Sequence, residues 1–103
     1  MIGIYKITSP VGRVYIGQSI DVEKRFRQYQ GLSHCKSQVR LYNSLKKHTP
    51  YSHIYEVLEE CSFEDLNTRE RYWQEQFQVM GKKGLNCKLT ATSEQKQVMS
   101  QQV

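Results

Sequence analysis

Two short runs rich in β-branched and aromatic residues, 2–8 (IGIYKIT) and 13–18 (RVYIGQ), enclose Ser9-Pro10-Val11-Gly12. Strand formers this close, with turn chemistry between them, predict a β-hairpin. Pro10 suits the second position of a type I turn, and Gly12 suits the left-handed bulge residue that completes a three-residue loop. That loop pairs Ser9 with Arg13 and Ile7 with Tyr15. Because side chains alternate along a strand, Ile2, Ile4, Val14 and Ile16 then line one face, and Tyr5, Ile7, Tyr15 and Gly17 the other. A two-residue loop would instead separate Tyr5 from Tyr15. The bulged register is preferred because it gathers the aliphatic residues on one side and both phenols on the other.

The remaining elements follow from caps and periodicity. Asp21 caps a helix that runs to Gly31, with Val22, Phe26 and Tyr29 as its buried stripe and Arg25 bordering it. A second helix covers residues 37–47, anchored by Leu41 and Leu45 and ended before Thr49-Pro50. Residues 52–58 (SHIYEVL), with Ile54 among polar neighbours, predict a third strand. Ser62 is an N-cap candidate for a helix reaching about Gln78, with Glu64 and Asp65 in its first turn. On that helix Phe63, Leu66, Trp73 and Phe77 repeat at spacings of three and four with one member missing, and Glu70 fills the gap. A carboxylate inside an apolar stripe is expensive to bury unless it is paired, protonated or bound to a cation. A buried salt bridge to Arg25 or Arg40 and a metal ligand are equally open at this point. Leu85-Asn86-Cys87, after the basic glycine-bounded loop Met80–Gly84, suggests a short edge strand. Residues 90–103 form a polar tail that can bury little.

The 103 residues make one domain's worth of chain, and 38% hydrophobic residues can fill a modest core, which excludes wholesale disorder. No apolar run approaches the roughly 20 residues of a membrane span. The first residues run directly into strand-like sequence without a secretory pattern, so a cytoplasmic location is expected, and no membrane partner. Cys35, Cys61 and Cys87 are odd in number and widely spaced, which argues against a disulfide framework or a zinc site and for ordinary buried or half-buried thiols. Charge is segregated: residues 1–48 carry nine Lys/Arg and two Asp/Glu, 49–80 two and seven, and 81–103 four and one. A basic half and an acidic middle suit a protein that holds phosphate and a metal ion together, although solvated faces explain the same pattern.

Gly3-Ile4-Tyr5, followed at hairpin spacing by Val14-Tyr15-Ile16-Gly17, resembles the signature of the GIY-YIG nuclease superfamily. Arg25 inside Glu23-Lys24-Arg25-Phe26, the Arg69-Glu70-Arg71-Tyr72-Trp73 helix and Gly84-Leu85-Asn86 occur in the family's order. The likeness covers roughly residues 1–89, and Tyr15–Ser19 with the Trp-containing Glu70 helix looks most like phage and bacterial homing endonucleases. The short stretch Thr92-Ser93-Glu94-Gln95 through Met99-Ser100 is similar to the start of the modular DNA-binding motifs that follow such domains.

The resemblance implies an α+β fold, a small three-stranded antiparallel sheet flanked by helices, over residues 1–89. It implies a metal-dependent endonuclease acting on double-stranded DNA in a bacterial or phage-infected cell. The chain is expected to act as a monomer or transient dimer, helped by a C-terminal DNA-binding region beyond these residues. By the same resemblance Glu70 binds a single Mg²⁺ or Mn²⁺, Arg25 contacts the scissile phosphate, Tyr5 and Tyr15 line the site, and Asn86 supports it. Tyr29 stands where members carry His or Tyr four residues after the arginine. His34 and Lys36 are candidates for a further His or Lys after that helix.

Phosphodiester hydrolysis needs a nucleophilic water, a base, charge neutralisation and help for the departing oxyanion. Tyr5 is the first choice of base and Tyr15 the alternative, though a phenol with a pKa of about 10 needs nearby cations, such as Arg25 and Lys36, to act at neutral pH. Asn86 is expected to orient Glu70 or the water. Arg13, Lys24, Arg27, Arg40, Lys46, Lys47, Lys82 and Lys83 are a mixture of solvated charge and DNA-backbone contacts. His48 and His53 have no catalytic task. A binding module on the same fold without turnover, and a repair or restriction nuclease, are the competing functions.

Overall fold

In the computed structural model, which describes residues 1–91, the hairpin forms in the bulged register. Strands β1 (Gly3–Thr8) and β2 (Val14–Ser19) pair antiparallel with Ile7 opposite Tyr15 and Thr8 opposite Val14. The Ser9 amide closes the loop on the Arg13 carbonyl at 2.8 Å, and Gly12 takes the positive φ of 84° that the bulge requires. Strand β3 (Ile54–Glu60) lies on the other side of β1, so the sheet order is β2-β1-β3, all antiparallel.

Helix α1 (Val22–Gln30) starts where Asp21 accepts a hydrogen bond from the Lys24 amide, and ends at Gly31. Helix α2 (Val39–His48) buries Leu41 and Leu45, and α3 (Leu66–Phe77) buries Leu66, Glu70 and Gln74. Strand alternation divides the core. Tyr5 and Ile7 join Val22, Tyr29, Cys35, Leu41, Leu45 and Leu85 on one face of the sheet. Ile4 and Ile16 join Leu66 and Val79 on the other, with Trp73 and Phe77 packed around them. Burying each large aliphatic side chain contributes about 1.5–3 kcal/mol. These two clusters therefore hold the short helices, which would be marginal alone.

Several local expectations are corrected. The third strand begins at Ile54 rather than Ser52, because Pro50–Ser52 forms a 3₁₀ turn. Ile54 is exposed, and the buried place before it belongs to His53, whose ring bonds Ser44 Oγ at 2.8 Å and the Thr49 carbonyl at 2.9 Å. Phe63–Asp65 is likewise a 3₁₀ turn, so Phe63 lies outside α3 and faces water, and the Ser62 hydroxyl donates to Asp65 Oδ2 instead of capping the backbone. Leu85–Cys87 is no strand: one bridge joins Val14 to Gly84. Gly84 is required there, since a Cβ would lie 1.7 Å from the Val79 carbonyl oxygen. Cys35 is buried and Cys61 half-buried as expected, but the Cys87 thiol is exposed. Among the described residues no helix is long and apolar enough to cross a membrane. The residues likened to modular DNA-binding motifs, 92–103, lie outside those described.

Candidate active site

Glu70 occupies the middle of α3 and is only 7% exposed. Neither Arg25 nor Arg40 pairs with it, which removes the buried salt bridge. Instead Gln18 Nε2 on β2 donates to Glu70 Oε1 at 2.9 Å, and the Thr90 hydroxyl donates to the same oxygen. Among the described residues Oε2 receives no hydrogen bond. Burial pushes the carboxyl above its ordinary range, and the bonds from Thr90 and Gln18 partly oppose that shift.

An open cleft of about 280 Å³ lies against this carboxylate, lined by Tyr15, Ser37, Gln38, Glu70, Gln74, Asn86, Cys87, Lys88 and Thr90. The two motif tyrosines part company here. Tyr15 is half-buried and lines the cleft. Tyr5 is 1% exposed, and its hydroxyl meets that of Tyr29 at 2.5 Å. The three rings form a packed trio with centroids 5.9–6.3 Å apart. Gly17 opposite Tyr5 makes room for it, since a Cβ there would sit 2.5 Å from the Tyr5 hydroxyl. Burial first, and neighbouring phenols next, hold both Tyr5 and Tyr15 well above the ordinary phenol value. Glu70 adds to the effect on Tyr15, while Arg25 lowers both.

Arg25 lies over the Tyr29 ring at 4.4 Å and donates to Gln28 Oε1, the His34 carbonyl and Gln38 Oε1 at 2.8–3.1 Å. Through Gln38 its charge backs the cleft wall. Lys36 is exposed on the loop before α2 and outside the lining, although Ser37 and Gln38 next to it line the cleft. His34 is exposed, its Nδ1 against Ser33 Oγ.

Asn86 makes no hydrogen bond to Glu70. Its Oδ1 accepts from the Ile16 amide at 2.9 Å and its Nδ2 donates to the Ile16 carbonyl at 2.8 Å. A side-chain amide thus takes the place of a strand neighbour at Ile16 and fixes β2 where it borders the cleft. Arg40 is likewise committed, donating to the carbonyls of Asn86, Gly81 and Met80 at 2.8–3.3 Å. Arg13, Lys24, Arg27, Lys46, Lys47, Lys82 and Lys83 are exposed. Arg13 and Lys47 meet at a second groove with His48, and Lys82 and Lys83 border a third beside Phe77.

Sequence reasoning missed Gln18, Gln74, Lys88 and Thr90. Gln74 follows Glu70 by one helical turn, which is a usable signal for the same face. Lys88 and Thr90 carry none, and Thr90 lies past the expected domain end at 89. Its amide donates to Gln74 Oε1 at 2.8 Å and its carbonyl accepts from Arg71 at 3.2 Å.

Among the described residues no group of three or more His, Cys, Asp or Glu is placed to hold a metal. The donors here are one carboxylate oxygen without a hydrogen bond among the described residues and neutral groups around it, with Lys88 also at the cleft. That set fits a hard cation such as Mg²⁺ or Mn²⁺, which keeps most of its water and takes one or two carboxylates plus substrate oxygens. It does not fit zinc.

The chain is similar to two solved structures. A point-mutant form of the catalytic domain of intron endonuclease I-TevI superposes with a TM-score of 0.72 at 23% identity, over 89% of this chain and 98% of that one. The catalytic domain of homing endonuclease I-TevI gives a TM-score of 0.68 at 26% identity, over 85% and 99%. No curated protein sequence matches the chain. A family model described as the GIY-YIG catalytic domain matches residues 1–85, so the chain belongs to the GIY-YIG family and carries its nuclease domain.

Proposed function

We propose that this domain is a metal-dependent DNA endonuclease of the homing type, hydrolysing one phosphodiester bond per visit in the cleft beside Glu70. The observation that carries the proposal is Glu70 itself: a nearly buried carboxylate, without a basic partner among the described residues, with one oxygen lacking a donor. Burial favours the protonated form of such a carboxylate, and a cation at the cleft would favour the charged one. The two similar solved structures are catalytic domains of endonucleases, which supports DNA as the substrate.

A divalent ion held by Glu70 would supply charge neutralisation at the phosphate and at the departing oxygen. The chain's own groups divide the other tasks. Tyr15, the phenol that lines the cleft, takes the proton of the attacking water; Tyr5, first choice from residues alone, has its hydroxyl sealed against Tyr29. Arg25 lowers the cost of the Tyr15 phenolate and stands behind Gln38 as a charge for the phosphate. Lys88 at the cleft adds a mobile cation for a neighbouring phosphate. Of the basic residues expected to meet the DNA backbone, Arg40 is held by three carbonyls, while Arg13 with Lys47 and Lys82 with Lys83 each line one groove together and are the pairs offered to the backbone.

Supercoiled-plasmid nicking tests the proposal. Mg²⁺ should support conversion to open circles, chelator should abolish it, and Glu70→Ala and Arg25→Ala should each slow it by orders of magnitude. A folded wild-type chain that binds DNA yet leaves it as intact as Glu70→Ala does would establish the non-catalytic binding module instead.

A further inference from the structure

We infer that Gln18 and Thr90 are positioning residues that set the Glu70 carboxylate for a divalent cation, and that the chain just past the family match therefore completes the site. The inference rests on the metal-dependent reading above. Two donors from opposite ends of the fold converge on one oxygen: Gln18 from β2, and Thr90 from the segment after Asn86. With both on Oε1, the carboxylate is fixed about its terminal torsion, and Oε2, without a donor among the described residues, is the oxygen left to ligate. A carboxylate torsion is otherwise broad, so each donor removes freedom that a ligand would have to remove on binding.

Each donor is itself held. Gln18 Nε2 also donates to Asn67 Oδ1 at 2.8 Å, one turn before Glu70 on α3. Gln74, 2% exposed and one turn after Glu70, accepts from the Thr90 amide at 2.8 Å. Arg71 donates to the Thr90 carbonyl at 3.2 Å. Three consecutive turns of α3 thus grip the two residues that grip Glu70. A threonine that only closed the chain would need no hydroxyl on a buried carboxylate, nor three separate contacts to the helix that bears it.

The test uses the whole 103-residue chain without DNA, with Mn²⁺ as the probe and its free-ion paramagnetic resonance signal as the readout. Wild type should bind one ion. Thr90→Val, which keeps the shape and removes the donor, should weaken binding about tenfold, and Thr90→Ser should return it to within about twofold of wild type. Gln18→Met should weaken it similarly, and decides the matter by itself if Thr90→Val fails to fold. Serine rescue separates a donated hydrogen bond from general destabilisation, which would not follow the hydroxyl. A wild-type chain that takes up no Mn²⁺ overturns the metal reading and this inference together. Ordinary wild-type binding that folded Thr90→Val or Gln18→Met leaves unchanged, or that Thr90→Ser does not restore, overturns the inference alone.

Discussion

The shared hydrogen bond between Tyr5 and Tyr29 gives an unusual expectation: a second mutation should repair the first. Tyr29→Phe removes the hydroxyl 2.5 Å from that of Tyr5, which is 1% exposed and makes its one close side-chain hydrogen bond among the described residues there. A buried polar group stripped of its partner costs about 1–3 kcal/mol. For a domain of this size, 1 kcal/mol lowers the melting temperature by about 4–8 °C, so Tyr29→Phe should melt roughly 5–20 °C below wild type. Tyr5→Phe alone should cost less, since the Tyr29 hydroxyl still has Tyr15 and Arg25 beside it. In the double variant no orphan remains, and replacing both partners by apolar groups of the same shape is nearly neutral. The double variant should therefore be more stable than Tyr29→Phe by about 1–2 kcal/mol. Thermal unfolding followed by circular dichroism on the four proteins measures this. A double variant that melts at or below Tyr29→Phe would refute the reasoning, because the two hydroxyls would then act separately.

Three further outcomes are expected. Burial raises the Glu70 carboxyl, so the folded state favours its proton: that contribution is full below the unfolded value of about 4.5 and is lost as pH rises through the folded value. Metal-free wild type and Glu70→Gln should thus melt alike near pH 4, and the glutamine variant higher at pH 7, by calorimetry. Nicking should rise about tenfold per pH unit below the raised Tyr15 value, and Tyr15→Phe should flatten the profile and lose about 10²–10⁴ in rate, while folded Tyr5→Phe keeps the slope. Asn86→Ala strips both the Ile16 amide and carbonyl of their partner and should destabilise the domain by about 2–4 kcal/mol in urea titration.

What could be read from the chain was local. The hairpin register follows from Pro10, Gly12 and a two-residue alternation, all within a few positions of one another, and so do the limits of α1 at Asp21 and Gly31. Glu70 stood out because a helix period makes one wrong residue visible. The start of β3 was misplaced by two residues because Pro50–Ser52 turns as a 3₁₀ helix and buries His53, whose ring is satisfied by the Thr49 carbonyl four residues back and by Ser44 on α2. Phe63 fits the apolar stripe by count, but the helix begins three residues later and the count no longer applies. Asn86 and Thr90 were the least legible. Their roles depend on contacts with Ile16 and Glu70, 70 and 20 positions away, that no periodicity encodes. Tyr5 and Tyr15 are equivalent in the strand pattern. Tyr29 packs against both, and only its close hydroxyl bond to Tyr5 and the opening of the cleft at Tyr15 separate the two.

The most direct measurement is the anomalous signal of Mn²⁺ in crystals of the wild-type chain. One peak within about 2.5 Å of Glu70 Oε2, on the cleft side shared with Tyr15, is the expected result. Crystals grown with millimolar Mn²⁺ in which that oxygen instead meets a lysine or arginine, with the metal elsewhere or absent, would contradict the account.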